Sequence, residues 1–289
     1  MYTIFTDSDC DFTPVEAKKY GYKLISMPFS IDGTTYFPYE DSETFDMKPF
    51  YDKLRNGVLP TTSAVSTEKY KQYFRPEFEK GNDILYVHFS RAMSGTFDAM
   101  DEALRELKDE FPERKFYAVD TKGITIVSYN IAKEIGEMYV KGASPEEIIA
   151  WADKEVLHFA QYFFANDLKF FRRSGRVSGF SATMGTLLGI RPIIYMNDEG
   201  KMVSVGKETG KAKAIKRLLS CVDELGDNVK DHSIIIGHTD APDIANEIAE
   251  SLKEKYGADA VIEIITTNPT SGAHCGPNGV GVSFHAKHR

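Results

Sequence analysis

The chain has 289 residues, a formal net charge of −8 at pH 7 and a hydrophobic fraction of 42%. Because this length exceeds what one typical core requires, we expect two domains rather than one large one. The negative charge argues against binding to nucleic acid or to an anionic membrane, since both require clustered positive charge. The first residues form neither a basic segment nor a long apolar run, and no later stretch reaches the roughly 20 apolar residues of a membrane span. We therefore expect a cytoplasmic protein with at most transient membrane contact.

Short apolar runs alternate with segments of helical periodicity through the first half of the chain, which is typical of βαβ units. The helix that follows residue 96 is the clearest, because apolar residues from Phe97 to Phe111 recur every three or four positions. Ser144 and Glu147 form a capping box around Pro145. The predicted strands are 2–8, 23–31, 83–90 and 115–121, and the predicted helices are 13–21, 46–57, 67–78, 97–111, 123–142 and 143–156.

The chain changes character near residue 160, where it becomes loop-like and carries several glycines. We predict an α/β fold with an N-terminal α/β domain at 1–160, built on a mostly parallel sheet, and a C-terminal α/β domain at 161–289, built on a mixed sheet. Helices should cover the sheets, because the strands are too uniformly apolar for sheets with one solvated face. The predicted C-terminal elements are a hairpin of 191–196 and 201–205, helices 209–226 and 242–257, strands 232–240 and 261–267, and a loop that runs into a last strand within 274–284.

Two hydroxyl-rich loops stand between predicted strands and helices. One contains Thr62, Ser63 and Ser66, and the other contains Ser94 and Thr96. Hydroxyls at such positions are often helix caps, and Ser66 alone could cap the helix that follows it. However, ligands of α/β proteins bind outside the carboxyl ends of the strands, where both loops should lie, and helix N-termini attract anions. Neutral hydroxyls and amides favour a single carboxylate over a triphosphate.

Sequence signatures of a nucleotide or metal site are weak. The chain lacks a P-loop lysine and a glycine fingerprint near the first strand, where Asp7, Asp9 and Asp11 would repel phosphates. These three carboxylates could hold Mg²⁺, but aspartates after a strand are also common turn and cap residues. We expect no cofactor and no metal.

The cysteines and the strand-end histidines give no zinc signature either. The three cysteines are widely separated and lack C-x-x-C spacing, so we expect reduced thiols. His232 and His238 flank one predicted strand and could be ligands, although strand-end histidines are usually solvated or hydrogen-bonded.

A serine hydrolase is an alternative, with Ser94 as nucleophile and His274 as its base. The G-x-S-x-G elbow is absent, and the two residues are far apart in sequence. Glycines and a proline follow His274 between 276 and 281, which predicts a tight loop that holds this histidine. A further cluster, formed by Arg172, Arg173 and Arg176 among phenylalanines, is either a solvated basic turn or a nucleic-acid contact, and one short cluster in a net-acidic chain supports the second poorly.

Taken together, these motifs resemble the DegV family of bacterial fatty-acid-binding proteins. The likeness extends over the whole chain, and one departure is Val65, where the family's T-S-x-P-S run has proline. The matching stretches are TDSDCDF, TTSAVS, SGT, VDTK, LKFFRRSGRVS, GTLLGIRPI and HCGPNGVGVSF.

The resemblance implies two α/β domains with a ligand tunnel between them for a long-chain fatty acid. Carried over by motif, Thr62, Ser63, Ser94 and the neighbouring Thr96 would hold the carboxylate, with His274 beside it. The arginine cluster would border the headgroup side or a partner. The apolar run of Met184, Leu187, Leu188 and Ile190 would line the acyl tunnel.

The resemblance also implies a partner. Characterised members carry the fatty acid for a separate fatty acid kinase subunit, which forms the acyl phosphate, so this chain would present substrate without a nucleotide site of its own. Members implicated in that reaction tend to carry arginine in the run 206–215, where this chain has Thr209. Because Thr209 departs from this pattern, engagement of the kinase by this chain requires a separate test.

Overall fold

A computed structural model describes residues 1–40, 42–179 and 189–289. In these ranges the strands are β1 (Tyr2–Asp7), β2 (Lys23–Ile25), β3 (Phe29–Ile31), β4 (Thr34–Tyr36), β5 (Thr61–Thr62), β6 (Asp83–His88), β7 (Phe116–Asp120), β8 (Phe159–Phe164), β9 (Val177–Ser178), β10 (Ile190–Met196), β11 (Met202–Thr209), β12 (Ile234–Thr239), β13 (Ile262–Thr266) and β14 (Gly279–His285). The α-helices are α1 (Pro14–Lys19), α2 (Met47–Arg55), α3 (Thr67–Glu79), α4 (Thr96–Glu110), α5 (Ile126–Val140), α6 (Pro145–Glu155), α7 (Leu168–Ser174), α8 (Lys211–Leu225), α9 (Pro242–Tyr256) and α10 (Pro269–Cys275).

The N-terminal part contains a four-stranded parallel sheet in the order β2-β1-β6-β7. The central strands are almost entirely buried, as their apolar sequences predict. Helix α4 buries the apolar face that begins at Phe97. The predicted caps are confirmed, because Ser66 accepts a hydrogen bond from the Lys69 amide and Ser144 forms a capping box with Glu147.

The C-terminal part contains a seven-stranded mixed sheet in the order β13-β12-β14-β8-β10-β11-β9. The hairpin of β10 and β11 is confirmed, with Met196 opposite Met202 and a tight turn at 197–200. The mixed α/β fold with one parallel and one mixed sheet is therefore the one that the sequence predicts. The predicted domain boundary at residue 160 falls at the start of β8, and the division into two domains stays a prediction.

Helix α5 lies between these two sheets and is buried on all sides through most of its length. Ile126 packs against strands β12 and β14 where both have glycine: a Cβ on Gly237 would lie 2.3 Å from Cγ2 of Ile126, and one on Gly281 would lie 3.2 Å from its Cδ1. Asn130 and Lys133 donate hydrogen bonds to Ser233 beside β12. One helix therefore joins the parallel sheet to the mixed sheet.

Several segments differ from the sequence prediction. The region after residue 160, expected to be loop-like, contains β8 and helix α7, and strands β4 and β5 were not predicted. The predicted strand 23–31 is two strands, because the chain turns around Pro28 and places β2 in the parallel sheet and β3 in a three-stranded antiparallel sheet, β4-β3-β5. Proline has no N–H and so cannot donate to a sheet ladder. Helix α10 was not predicted, although Asn268 caps it by accepting from the Ser271 amide and Pro269 is its first residue, which is a recognised start signal.

Candidate functional site

One cavity lies at the carboxyl ends of β1, β6 and β12, and against β8, β14 and α10. The space between its lining atoms is about 890 Å³, part of it open to solvent. The location is the one that the fold class predicts for a ligand. The cavity has hydroxyls at one end, apolar side chains and glycines along its walls, and one carboxyl group, that of Asp9.

The first hydroxyl loop contributes two of its side chains to this cavity. Thr62 lies in the short edge strand β5, and Ser63 follows it at the surface. Ser66 is not among the lining residues, because its hydroxyl caps α3. We name the end of the cavity formed by Thr62, Ser63, Ser94 and His274 the polar end.

The second hydroxyl loop contributes only Ser94. Its Oγ accepts a hydrogen bond from the Thr96 amide at 3.2 Å, which leaves the hydroxyl hydrogen able to donate to a ligand. Thr96 is 1% exposed and is not a lining residue. Its hydroxyl instead accepts from the Val65 amide at 3.0 Å and pairs with the Tyr70 hydroxyl at 3.1 Å. The structure thus places Thr96 between the two loops and not at the cavity; Val65 uses the N–H that a proline at this position would lack.

His274 lies in α10 and joins the polar end through its Nε2, 3.0 Å from Oγ1 of Thr62. Burial, reinforced by the positive charges of Arg176 and Arg173, lowers the pKa of His274 to about 4. The ring is therefore neutral at physiological pH when no anion is bound. In the tautomer with hydrogen on Nε2, His274 donates to Thr62, whose own hydroxyl hydrogen can then face a ligand oxygen.

The arginine cluster borders this end of the cavity. Arg176 is exposed and lines the cavity, whereas Arg172 and Arg173 are exposed and do not line it. Arg173 reaches the first hydroxyl loop, donating to the Leu59 carbonyl oxygen at 2.6 Å. The polar end therefore opens toward a positively charged edge.

Away from the polar end the walls become apolar. Three glycines of β12 and β14 make room here: a Cβ on Gly281 would lie 2.6 Å from the Cβ of Phe163. Met184, Leu187 and Leu188, which we predicted to line an acyl tunnel, lie outside the described residues. Ile190 is the first residue of β10 and does not line the cavity. The apolar lining residues that the sequence did not single out are Met27, Phe89, Met93, Ile124, Ile126, Phe163, Phe164, Met202 and Val280.

The three aspartates after β1 are buried and close together. Burial raises the pKa of Asp7 and of Asp11 to about 7, and raises the pKa of Asp9 well above its usual range with help from the two neighbours. Asp7 accepts hydrogen bonds from four groups and Asp11 accepts two from Asn268, so both side chains stabilise the folded chain. Across the described ranges, the side chains form no cluster of three or more groups able to hold a metal ion.

The histidines and cysteines considered as metal ligands do not form one cluster among the described residues. His238 lines the cavity at the end of β12, and its Nδ1 accepts from the Ala241 amide. His232 is remote from it and pairs with Glu134, which raises the pKa of the histidine. The three cysteines are unpaired thiols, of which Cys275 lines the cavity. In the described parts of the chain, no helix has both the length and the apolar composition needed to cross a bilayer.

Comparison with known proteins places the chain in a family. The family model for uncharacterised proteins of the DegV family matches residues 1–287. A DegV domain-containing protein of Clostridium perfringens is 32% identical over 284 residues, covering 98% of this chain and 97% of that protein. Among solved structures, DegV of Bacillus subtilis, a fatty acid binding protein, has a TM-score of 0.82 at 25% identity, covering 99% of both chains. A DegV lipid binding protein of Thermotoga maritima has a TM-score of 0.81 at 25% identity, covering 100% of both. The chain belongs to the DegV family.

Proposed function

We propose that this protein binds one long-chain fatty acid in the cavity, with the carboxylate at the polar end and the acyl chain along the apolar walls. The observation that carries the proposal is the division of one cavity into a hydroxyl-rich end, near solvent, and apolar walls that are buried. A molecule with an anionic head and a long apolar tail matches this division. The relatives that bind fatty acids or lipids support the same ligand class.

Hydrophobic burial would supply most of the affinity. About fifteen methylenes at ~0.8 kcal/mol each give a gross ~12 kcal/mol before ordering costs. Each hydrogen bond to the carboxylate adds ~1.5–3 kcal/mol and fixes which end of the ligand faces solvent. The hydroxyls of Thr62, Ser63 and Ser94 are the donors we assign to this role.

The test is to identify the ligand that accompanies the purified protein. Mass spectrometry under native and then denaturing conditions should show one fatty acid per chain that is lost on unfolding. Adding fatty acids of several chain lengths to delipidated protein should raise its melting temperature. A preparation without stoichiometric fatty acid, and without stabilisation by any chain length, would refute the proposal.

We further propose that the bound fatty acid is presented to a separate ATP-dependent kinase, which phosphorylates its carboxylate. Support comes from the position of Arg176 at the cavity and of Arg172 and Arg173 beside it, where positive charge would favour an acidic partner surface and a transferring phosphoryl group. The assay combines lipid-loaded protein, a bacterial fatty acid kinase from the same source, ATP and Mg²⁺, and measures acyl phosphate. If loaded protein yields no acyl phosphate while an active control does, the protein is a fatty acid carrier with another purpose. Thr209 lies in β11, and the variant Thr209→Arg tests whether the departure from the family pattern affects this reaction.

Nothing in the site favours the hydrolase alternative. Among the described residues Ser94 and His274 share no hydrogen bond, and His274 pairs with Thr62 instead. A histidine whose pKa is about 4 is also a weak general base at neutral pH.

A further inference from the structure

Among the described residues that line the cavity, one buried side-chain polar atom has no hydrogen-bond partner. Asp9 is 6% exposed and lines the cavity, and its Oδ1 is buried with no hydrogen-bond partner. Of the described buried side-chain atoms in this condition, it is the one that belongs to a lining residue. An unpaired buried polar group costs about as much as a lost hydrogen bond, so each such atom requires an explanation.

The neighbouring polar side chains of the wall, in contrast, have hydrogen-bond partners. Thr125 accepts a hydrogen bond from Nε2 of Gln161 at 3.3 Å, and the second amide atom of that glutamine accepts from the Val127 amide at 3.2 Å. Thr270 donates to the Met27 carbonyl oxygen at 3.1 Å. The fold satisfies these polar groups and leaves Oδ1 of Asp9, a side chain that lines the cavity, buried without a partner.

The position of Asp9 relative to the polar end follows from α10. The Thr270 hydroxyl lies against the Asp9 carboxyl group. Thr270 and His274 are four residues apart in this helix, so they lie on one face and about 6 Å apart along the axis. Asp9 therefore stands about one helical turn beyond the carboxylate position, beside the first few carbons of a bound acyl chain.

The charge state of Asp9 determines what it can bind. Burial, with the nearby charges of Asp7 and Asp11, raises the pKa of Asp9 well above its usual range, which favours the neutral carboxyl. A neutral carboxyl neither repels a fatty acid carboxylate one turn away nor requires a cation. It offers one donor and one acceptor, and a hydroxyl is the group that can pair with either.

We infer that Asp9 forms a subsite for a hydroxyl group carried on the carboxylate-proximal part of the acyl chain, so that hydroxylated fatty acids are preferred ligands. This inference rests on the proposed fatty acid site and names a ligand class for it. A hydroxyl elsewhere on the chain would be buried against apolar walls without a partner and would weaken binding.

The experiment measures affinities of delipidated protein for octadecanoic acid and for a positional series of monohydroxy octadecanoic acids, with the hydroxyl near the carboxylate, at mid-chain and near the methyl end. A proximal hydroxyl should bind about tenfold more tightly than the other positions, which is the factor expected for one buried hydrogen bond gained instead of lost. Asp9→Asn keeps a donor and an acceptor and should preserve this preference. Asp9→Ala should abolish it, while Ser94→Ala should weaken all members of the series by a similar factor.

The outcomes separate this inference from the proposed function. Tight binding of octadecanoic acid with every hydroxylated acid weaker, whatever the position, would overturn the Asp9 subsite and keep the fatty acid site. No binding of any member would overturn both. The wild-type series is decisive by itself, so the inference stays testable if Asp9→Ala fails to fold.

Discussion

The two hydroxyl-rich loops have similar compositions but differ in how many of their hydroxyls line the cavity and how many form hydrogen bonds within the protein. In the first loop, Thr62 and Ser63 reach the cavity and Ser66 caps a helix. In the second, only Ser94 reaches it. Its neighbours are buried in the protein: Ser90 donates to the Gly200 carbonyl oxygen at 2.8 Å, and Thr96 ties the two loops together.

The difference arises from what packs against each loop. The first loop continues an edge strand at the surface, so its side chains meet solvent or ligand. The second is covered by the hairpin turn of the mixed sheet, and a Cβ on Gly200 would lie 2.2 Å from Oγ of Ser90. A hydroxyl in such a contact must satisfy a buried backbone group, whereas a hydroxyl at an open edge can serve a ligand.

Among the substitutions that test this difference between the loops, Thr96→Val should have the largest effect, which is a loss of folding stability. The variant removes the partner of the buried Val65 amide and one partner of the Tyr70 hydroxyl, at ~1–3 kcal/mol each. We expect the free energy of unfolding in urea to fall by about 2–4 kcal/mol. Fatty acid affinity of the folded protein should change less than twofold; a stable variant with weakened affinity would place Thr96 at the ligand after all.

Ser94→Ala should give the opposite result. Ser94 is half-buried and lines the cavity, so its loss leaves the ligand carboxylate short of a donor and should weaken affinity by ~1–3 kcal/mol. The bond from the Thr96 amide is also lost, so the melting temperature should fall only by the amount expected for one hydrogen bond at a helix start. Calorimetric affinity and melting temperature of the same variant decide the matter, because destabilisation with unchanged affinity would show that Ser94 is only a cap.

The pH dependence of binding tests how His274 completes the polar end. In the ligand-free protein its pKa is about 4, and a bound carboxylate should raise it toward the ordinary 6.5. Because the complex then holds the proton more tightly than the free protein, affinity should rise as pH falls below about 6.5, by up to about tenfold per pH unit, until the carboxyl group of the free fatty acid itself takes up a proton. His274→Gln keeps a hydrogen-bonding side chain without this titration. An equal pH dependence in both proteins would exclude His274 as the cause.

The smallest expected effects distinguish residues within the first loop. Ser66→Ala removes the cap of α3 and should lower the free energy of unfolding by about 1 kcal/mol without changing affinity. Ser63→Ala, at an exposed position, should weaken affinity by about 0.5–1.5 kcal/mol without changing stability. Urea denaturation and calorimetry on the pair test the separation, and matching losses in both variants would contradict it.

The sequence by itself determined most of the elements and the edge of the sheets at which the cavity lies. Periodicity located the helices and strands, local signals located the caps at Ser66 and Ser144, and hydroxyls after strands pointed to an anion at the carboxyl edge. These features depend on residues only a few positions apart, so a sequence pattern records them. The same is true of α10, whose start at Asn268 and Pro269 carried a signal that was overlooked.

Only the tertiary structure decided which side chains reach the cavity. Thr96 and Ser94 stand two residues apart, yet a contact with Val65 and Tyr70 from another loop turns the first into a structural bond. Likewise, Asp9 became distinct from Asp7 and Asp11 because it lines the cavity, whereas partners from distant segments bind Asp7 and the Oδ1 of Asp11. Hydrogen-bond satisfaction in a buried site depends on residues brought together by packing, which no local pattern contains.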